Sequence, residues 1–255
     1  MSPPRALRVA VCDDEAPARS RLRELLADCA ASMPVDVVGE AASGVQLLAL
    51  LQECEADVVL LDVRMPGMDG LETARHLGKL ARPPRVIFAT AFDAHAVNAF
   101  ELQAVDYLLK PIRGERLLEA LLRLRSLEPA PREVLREISP APRTHLSVPE
   151  RGRVLLVPVA DILYLRAELK YVIVRTASAE HLVEDSLVRL EQEFEASFIR
   201  IHRSYLVAKR HLAGFERNGE DGDSGWVAVV KGLPERLPVS RRQAPLARAF
   251  GRMRP

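Results

Sequence analysis

Three carboxylates, a hydroxyl and an ammonium, spread over 97 positions, each stand at or just past the end of a short apolar run. Val9-Ala10-Val11-Cys12 leads into Asp13-Asp14, Val58-Val59-Leu60-Leu61 into Asp62, Val86-Ile87-Phe88-Ala89 into Thr90, and Tyr107-Leu108-Leu109 into Lys110-Pro111. Brought together, these groups suit a hard cation and a phosphoryl group. The carboxylate oxygens of Asp13, Asp14 and Asp62 are the ligands Mg2+ prefers, and that ion keeps several of its waters. A carboxylate such as Asp62 can also take a phosphoryl group as an acyl phosphate. The negative charge spread over a phosphoryl group in transfer is stabilised by a metal on one side and an ammonium, here Lys110, on the other. Thr90 can donate its hydroxyl to the attached group. Singly, Asp and Thr are ordinary cap and turn residues, so it is their joint placement that carries the chemistry.

The apolar runs that must position them are rich in Val, Ile and Leu and are separated by helix-like segments. Strands of a parallel sheet covered on both faces read this way. In such sheets ligands bind at the carboxyl ends of the strands, which would bring all five groups to one edge.

Val11-Cys12-Asp13-Asp14-Glu15, Leu61-Asp62-Val63-Arg64-Met65-Pro66-Gly67-Met68-Asp69-Gly70 and Asp106-Tyr107-Leu108-Leu109-Lys110-Pro111 resemble the receiver domain of bacterial two-component response regulators, over residues 5 to 126. The resemblance implies a doubly wound, flavodoxin-like α/β fold with five parallel strands. It implies that Asp62 accepts phosphate from a sensor histidine kinase, with autophosphorylation and autodephosphorylation as the only chemistry. It further implies that Asp14 and Asp62 bind Mg2+ directly, Asp13 acts through water, and the backbone carbonyl of Arg64 completes the protein ligands. Thr90 and Tyr107 match the family's switch pair, in which the hydroxyl moves toward the phosphoryl group and the ring turns inward.

Length, charge and cysteine usage bound the rest. The 255 residues exceed one receiver-sized unit, so two domains are expected. No apolar run approaches the roughly 20 residues needed to cross a bilayer, and Met1-Ser2-Pro3-Pro4-Arg5 does not lead into a signal-peptide core. A cytoplasmic protein without membrane contact is the expectation. Cys12, Cys29 and Cys54 lack metal-ligand spacing and read as reduced thiols. Residues 1–142 hold 17 Lys and Arg against 21 Asp and Glu, net −4, whereas residues 143–255 hold 19 against 14, net +5. If either half meets a polyanion, it is the second.

The boundary lies after an amphipathic helix over 115–127, striped by Leu117, Leu118, Leu121, Leu122 and Leu124. Glu128-Pro129-Ala130-Pro131 and Ser139-Pro140-Ala141-Pro142 block helix continuation, with room for two helical turns over 132–138. Residues 1–126 are thus read as one domain, 127–142 as a linker and 143–255 as a second domain.

Beyond the linker the period changes to that of strands, at 154–157, 162–165, 171–175 and 181–184. A helix over 186–194 follows, with Ser186 as N-cap. Further strands are expected at 198–201, 212–216, 226–230 and 235–239, and a basic helix over 241–253. This half is mostly antiparallel β. Its connections carry Lys170, Arg203 and Arg241-Arg242, residue types suited to phosphates and to the guanine edge. Helix-turn-helix spacing is absent, so loops would do any reading of DNA.

Ile162 to Val172, Phe198-Ile199-Arg200-Ile201-His202-Arg203-Ser204-Tyr205-Leu206-Val207 and Pro238-Val239-Ser240-Arg241-Arg242 resemble the LytTR DNA-binding domain. Taken whole, the chain resembles LytTR-family response regulators of the alginate-biosynthesis type. This implies ten strands whose loops enter successive major grooves of promoter DNA. Lys170, Arg203 and Arg241 would read bases, Arg242 and Lys209 would lie nearer phosphates, and His202 would brace its loop or touch DNA. The acidic stretch 216–225 departs from such an interface and is expected to face away from it.

Together these readings predict a transcriptional regulator in which phosphate on Asp62 biases the receiver face of residues 93–109 toward a homodimer. Two other readings weigh against it. A phosphatase of the haloacid dehalogenase kind has a second Asp two residues after its nucleophile, where this chain has Arg64. A degenerate receiver acting as a phosphate-independent interaction module is opposed by the intact Asp13, Asp14, Asp62, Thr90 and Lys110.

Overall fold

The computed structural model describes residues 5–91, 104–126, 142–150, 153–217 and 225–252. The expected linker, most of the 93–109 face and positions 218–224 of the acidic stretch lie outside these residues. The chain divides into two compact units, residues 1–141 with 150–154 and residues 142–149 with 155–255.

In the first unit, five parallel strands stand in the order β2-β1-β3-β4-β5. They are β1 (Leu7–Cys12), β2 (Val35–Ala41), β3 (Val58–Leu61), β4 (Arg85–Thr90) and β5 (Asp106–Leu109). Among the described residues four helices accompany them: α1 (Ala16–Cys29), α2 (Gly44–Glu53), α3 (Gly70–Leu77) and α4 (Gly114–Ser126). Every residue of β3 is buried, as is the Val9–Cys12 stretch of β1, which explains their unbroken apolar reading. One core lies between the sheet and α1 and α4, where Leu22, Leu25 and Leu26 meet Leu117 and Leu121 over Val9, Val11, Val58 and Leu60. The expected leucine stripe is narrower than its spacing suggests. Leu117 and Leu121 are buried one turn apart, Leu118 and Leu124 flank them, and Leu122 is exposed. The helix ends that face the sheet edge are capped in the usual way: Ser43 accepts from Gln46 N–H at 3.3 Å and Asp69 from Glu72 N–H at 2.7 Å.

The second unit has ten strands among its described residues, in three sheets. A five-stranded antiparallel sheet has the order β10-β9-β8-β12-β11, formed by β8 (Tyr164–Glu168), β9 (Tyr171–Arg175), β10 (Glu180–Val183), β11 (Phe198–His202) and β12 (Tyr205–Ala208). A three-stranded sheet comprises β13 (Leu212–Arg217), β14 (Trp226–Val230) and β15 (Arg236–Val239), and β6 (His145–Glu150) pairs with β7 (Arg153–Pro158). The large sheet is apolar on both faces. Leu165, Val172, Val174, Phe198 and Leu206 pack toward the β6–β7 ribbon and α5 (Leu187–Glu193). Tyr164, Ile201 and Val207 pack toward the smaller sheet and α6 (Ala244–Arg252). Alternation along each strand therefore divides the unit into two cores.

The helix expected over 186–194 is present, but Ser186 is not its side-chain cap. No cap bond from its hydroxyl forms; its own N–H donates to Asp185 Oδ1 at 3.1 Å instead. The strand expected at 162–165 begins later, because Val159–Asp161 makes a 3-10 turn that ends at Ile162.

Candidate phosphoacceptor pocket and nucleic-acid interface

The pocket residues extend the sheet's own ladder one step past each strand. Asp13 N–H donates to Ala41 O at 3.1 Å, Asp62 N–H to Cys12 O at 2.8 Å and Lys110 N–H to Thr90 O at 2.8 Å. Parallel pairing thus fixes these backbones before any side chain acts. The carboxylates of Asp13, Asp14 and Asp62 converge, each offering an oxygen within 4.8 Å of the others. Lys110 Nζ lies 2.6 Å from Asp13 Oδ2 and 3.2 Å from Asp62 Oδ1. The other Asp62 oxygen accepts from Arg64 N–H at 3.1 Å, and Asp13 Oδ1 accepts from Glu15 N–H at 3.0 Å. Asp13, Asp62 and Thr90 are buried, whereas Asp14 is exposed.

Burial raises the Asp62 carboxyl above its ordinary range; Lys110 opposes this and Asp13 adds to it. Burial would lower the Lys110 ammonium, but the hydrogen bond to Asp13 and the charges of Asp62 and Asp13 outweigh it and hold it raised. Cys12 beneath the pocket is pushed up to about 12 by burial and by Asp13, so it stays a protonated thiol.

Two features of the pocket escape sequence reasoning. Arg19, on the first turn of α1, donates to Asp13 O at 2.7 Å and to Asp14 O at 3.2 Å, tying down the acidic loop. Gly70 starts α3 directly against the backbone just past β3: a Cβ there would sit 2.0 Å from the Asp62 carbonyl oxygen. Tyr107 stacks on Phe88, its neighbour across β4 and β5, with centroids 5.3 Å apart. Burial raises its phenol, and among the described residues the buried hydroxyl has no hydrogen-bond partner.

In the second unit, two backbone bonds gather three loops. Ala167 N–H donates to Ser204 O at 2.9 Å, joining the end of β8 to the β11–β12 turn, and Ser240 N–H donates to Ile201 O at 2.9 Å, bringing the segment after β15 against β11. Lys170, Arg203, Arg241 and Arg242 sit on these loops and are all exposed. Lys170 Nζ lies 5.0 Å from the Tyr171 ring centre.

Lys209 does not join them. It follows β12 at the end away from Tyr205, about 13 Å along a strand rising about 3.3 Å per residue, and its ammonium donates to Glu195 O at 2.8 Å. The direction of β12 thus sets Lys209 apart from Lys170, Arg203, Arg241 and Arg242.

Arg200 and His202 brace the Arg203 loop. The Arg200 guanidinium donates to His202 O at 2.7 Å and Arg203 O at 2.5 Å and pairs with Glu191 at 2.8 Å. His202 Nδ1 accepts from Ser204 N–H at 3.3 Å and lies 2.7 Å from Ser204 Oγ. The adjacent turn departs from rule: Leu169, between β8 and β9, has φ 52° and is fully exposed. An L-residue in the left-handed region costs roughly 1–2 kcal/mol.

A parallel α/β unit with an acidic strand-end pocket, joined to a β unit with a cationic loop edge, is the architecture of a receiver coupled to a DNA-binding domain. Residues 9–122 match the response regulator receiver domain, and residues 152–251 match the LytTr DNA-binding domain. The positive alginate biosynthesis regulatory protein of Pseudomonas aeruginosa is 37% identical over 92% of this chain and 95% of its own. The sensory transduction protein LytT of Bacillus anthracis is 35% identical over 93% of this chain and 96% of its own. Among solved structures, the response regulatory domain of mrkE from Klebsiella pneumoniae is 33% identical, covering 47% of this chain and 96% of that one at a TM-score of 0.43. The chain belongs to the LytTR family of two-component response regulators and is a transcriptional regulator. No helix among the described residues is long and apolar enough to cross a membrane.

Proposed function

We propose that Asp62 accepts a phosphoryl group from a sensor histidine kinase in the cytoplasm, and that this modification controls promoter binding by residues 143–255. The observation that carries the reading is the convergence of Asp13, Asp14 and Asp62 with Lys110 bridging two of them. Asp62 Oδ attacks phosphorus as the P–N bond of a phosphohistidine breaks, and the imidazole leaves with the electron pair. Lys110, held between Asp13 and Asp62, is positioned to meet the arriving charge. Thr90, which pairs with Leu109 next to Lys110 across β4 and β5, supplies the hydroxyl that approaches the new phosphate. Tyr107, whose buried hydroxyl has no partner among the described residues, is the second member of the switch. The donor set fits Mg2+: all oxygen, two carboxylates buried and the exposed Asp14 leaving room for water. Asp14 and Asp62 would hold the ion directly, Asp13 through water, with the Arg64 carbonyl as the last protein ligand. When bound, Mg2+ supplies neutralising positive charge to the phosphoryl oxygens.

In the same reading residues 1–126 form the receiver, 127–142 the linker and 143–255 the DNA-binding domain. Lys170, Arg203 and Arg241 read base edges in the major groove, and Arg242 contacts phosphate. Phosphate replaces one negative charge by roughly 1.5 to 2, shifting the receiver toward a homodimer that presents two DNA-binding domains to paired half-sites. Labelled acetyl phosphate with Mg2+ is expected to modify the wild-type chain and not Asp62→Asn. Undiminished labelling of that variant overturns the assignment of Asp62.

A further inference from the structure

The geometry points to Leu169 as a specificity-determining residue that contacts a thymine methyl group in the major groove. The inference rests on the DNA-binding reading of the Lys170 and Arg203 loops. Leu169 occupies a two-residue turn, between Glu168 and Tyr171, that pair with each other at the ends of β8 and β9. Its φ of 52° belongs to the region that Gly and Asn enter easily and a branched side chain does not. Such turns are filled by Asn-Gly and similar pairs when only the bend matters. Here the position carries a leucine, and that leucine is wholly exposed. Scattered apolar side chains are common on surfaces, but conformational strain and full hydration at one residue both oppose leucine, so its side chain must be wanted.

What surrounds it narrows the occupant. The groove beside the turn is lined by four cations, Lys170, Arg189, Arg200 and Arg203, and two acids, Glu184 and Asp185; Arg200 is paired with Glu191 at 2.8 Å, Asp185 with Arg143 at 2.9 Å and Glu168 with Arg166 at 2.9 Å. A protein partner offering an apolar face would leave the exposed Lys170, Arg189 and Arg203 facing a surface with no charge to answer them. Duplex DNA meets both demands, because its backbone is anionic and its major groove presents one apolar base feature, the thymine C5-methyl. Leu169 at the tip would reach the base edges while the cations behind it meet phosphates or guanine.

The test uses the full-length chain and the tightest-binding duplex selected from a random-sequence pool. Each thymine in the footprint is replaced singly by deoxyuridine, which removes only the methyl. One position is expected to weaken wild-type binding about fourfold, the worth of one buried methyl. Leu169→Gly, which relieves the strained φ and keeps the fold, is expected to bind the unmodified duplex about fourfold more weakly or worse and to show no further loss on deoxyuridine substitution there. Indifference of the wild type to every substitution, or equal sensitivity of Leu169→Gly and wild type, overturns the proposal. Lys170→Ala and Arg203→Ala are measured alongside. If neither alters discrimination between selected and scrambled duplexes, the DNA-reading assignment of these loops fails, and the Leu169 proposal with it; if they do alter it while deoxyuridine has no effect, only Leu169 is reassigned.

Discussion

At the scale of single residues, the acidic pocket around Asp62 is set by backbone closeness as much as by charge. Gly70 is the clearest case, since its Cα approaches the Asp62 carbonyl so nearly that even a methyl has no place. The neighbouring atoms are backbone, which cannot rotate away. Gly70→Ala is therefore expected to cost about 1–3 kcal/mol, read as a lower urea midpoint, and to slow labelling of Asp62 by acetyl phosphate; an unchanged midpoint would show that α3 is free to move outward. His202 gives a pH test. Burial, then Arg203 and Arg200, hold its imidazole below the ordinary 6.5, and Nδ1 is already an acceptor for Ser204 N–H. The neutral form is favoured in the folded state, so this stabilisation is complete above pH 6.5 and is lost as pH falls below it. Thermal melting from about pH 7.5 to about pH 5.5 should lower the wild-type midpoint more than that of His202→Gln. Equal declines would remove His202 from the balance.

At the scale of elements, strands with unbroken apolar runs were legible, and those depending on a turn without special residues were not. β3 and the inner part of β1 announce themselves because both faces are covered. β12 is hidden in the sequence because Arg203-Ser204 joins it to β11 with no Gly, Asn or Pro to mark a reversal. β6 buries Ser147 along with Leu146 and Val148, which breaks the alternation a strand would show, and Pro149 reads as a breaker. The carboxylate, Thr90 and Lys110 addresses were readable from strand ends, whereas Arg19, Gly70 and Arg200 act through contacts that no local pattern encodes. The β6 strand is also anchored by an element the sequence does not show. Arg143 donates to Glu193 at 2.7 Å and to Asp185 at 2.9 Å, joining the start of the second unit to α5. All three side chains are largely buried, so Arg143→Ala removes the cation that both carboxylates share. A loss of roughly 3 kcal/mol is expected in denaturant unfolding, and a loss under about 0.5 kcal/mol would mean that solvent already screens the pair.

For the molecule as a whole, the acidic first half and basic second half make salt dependence a property of one unit. Each lost phosphate contact lowers the slope of log affinity against log salt by about 0.9. Arg242→Ala is expected to show that reduction on selected and scrambled duplexes alike, while Lys209→Ala, at the opposite end of β12, leaves the slope at its wild-type value. The reverse pattern would place the duplex against the other edge of the sheet. The two-sided apolar character of the five-stranded sheet has a consequence for how such a regulator diversifies. Sliding a strand by one residue exchanges its two apolar sets without exposing either, so burial alone guards the alignment weakly. That task falls to the short reversals at Leu169-Lys170 and Arg203-Ser204, whose length fixes the offset of the strands they join. The loops assigned to promoter contact are thus also the rulers of the sheet, and under that assignment new promoter preferences are open to this scaffold by exchange of side chains but closed to it by insertion or deletion.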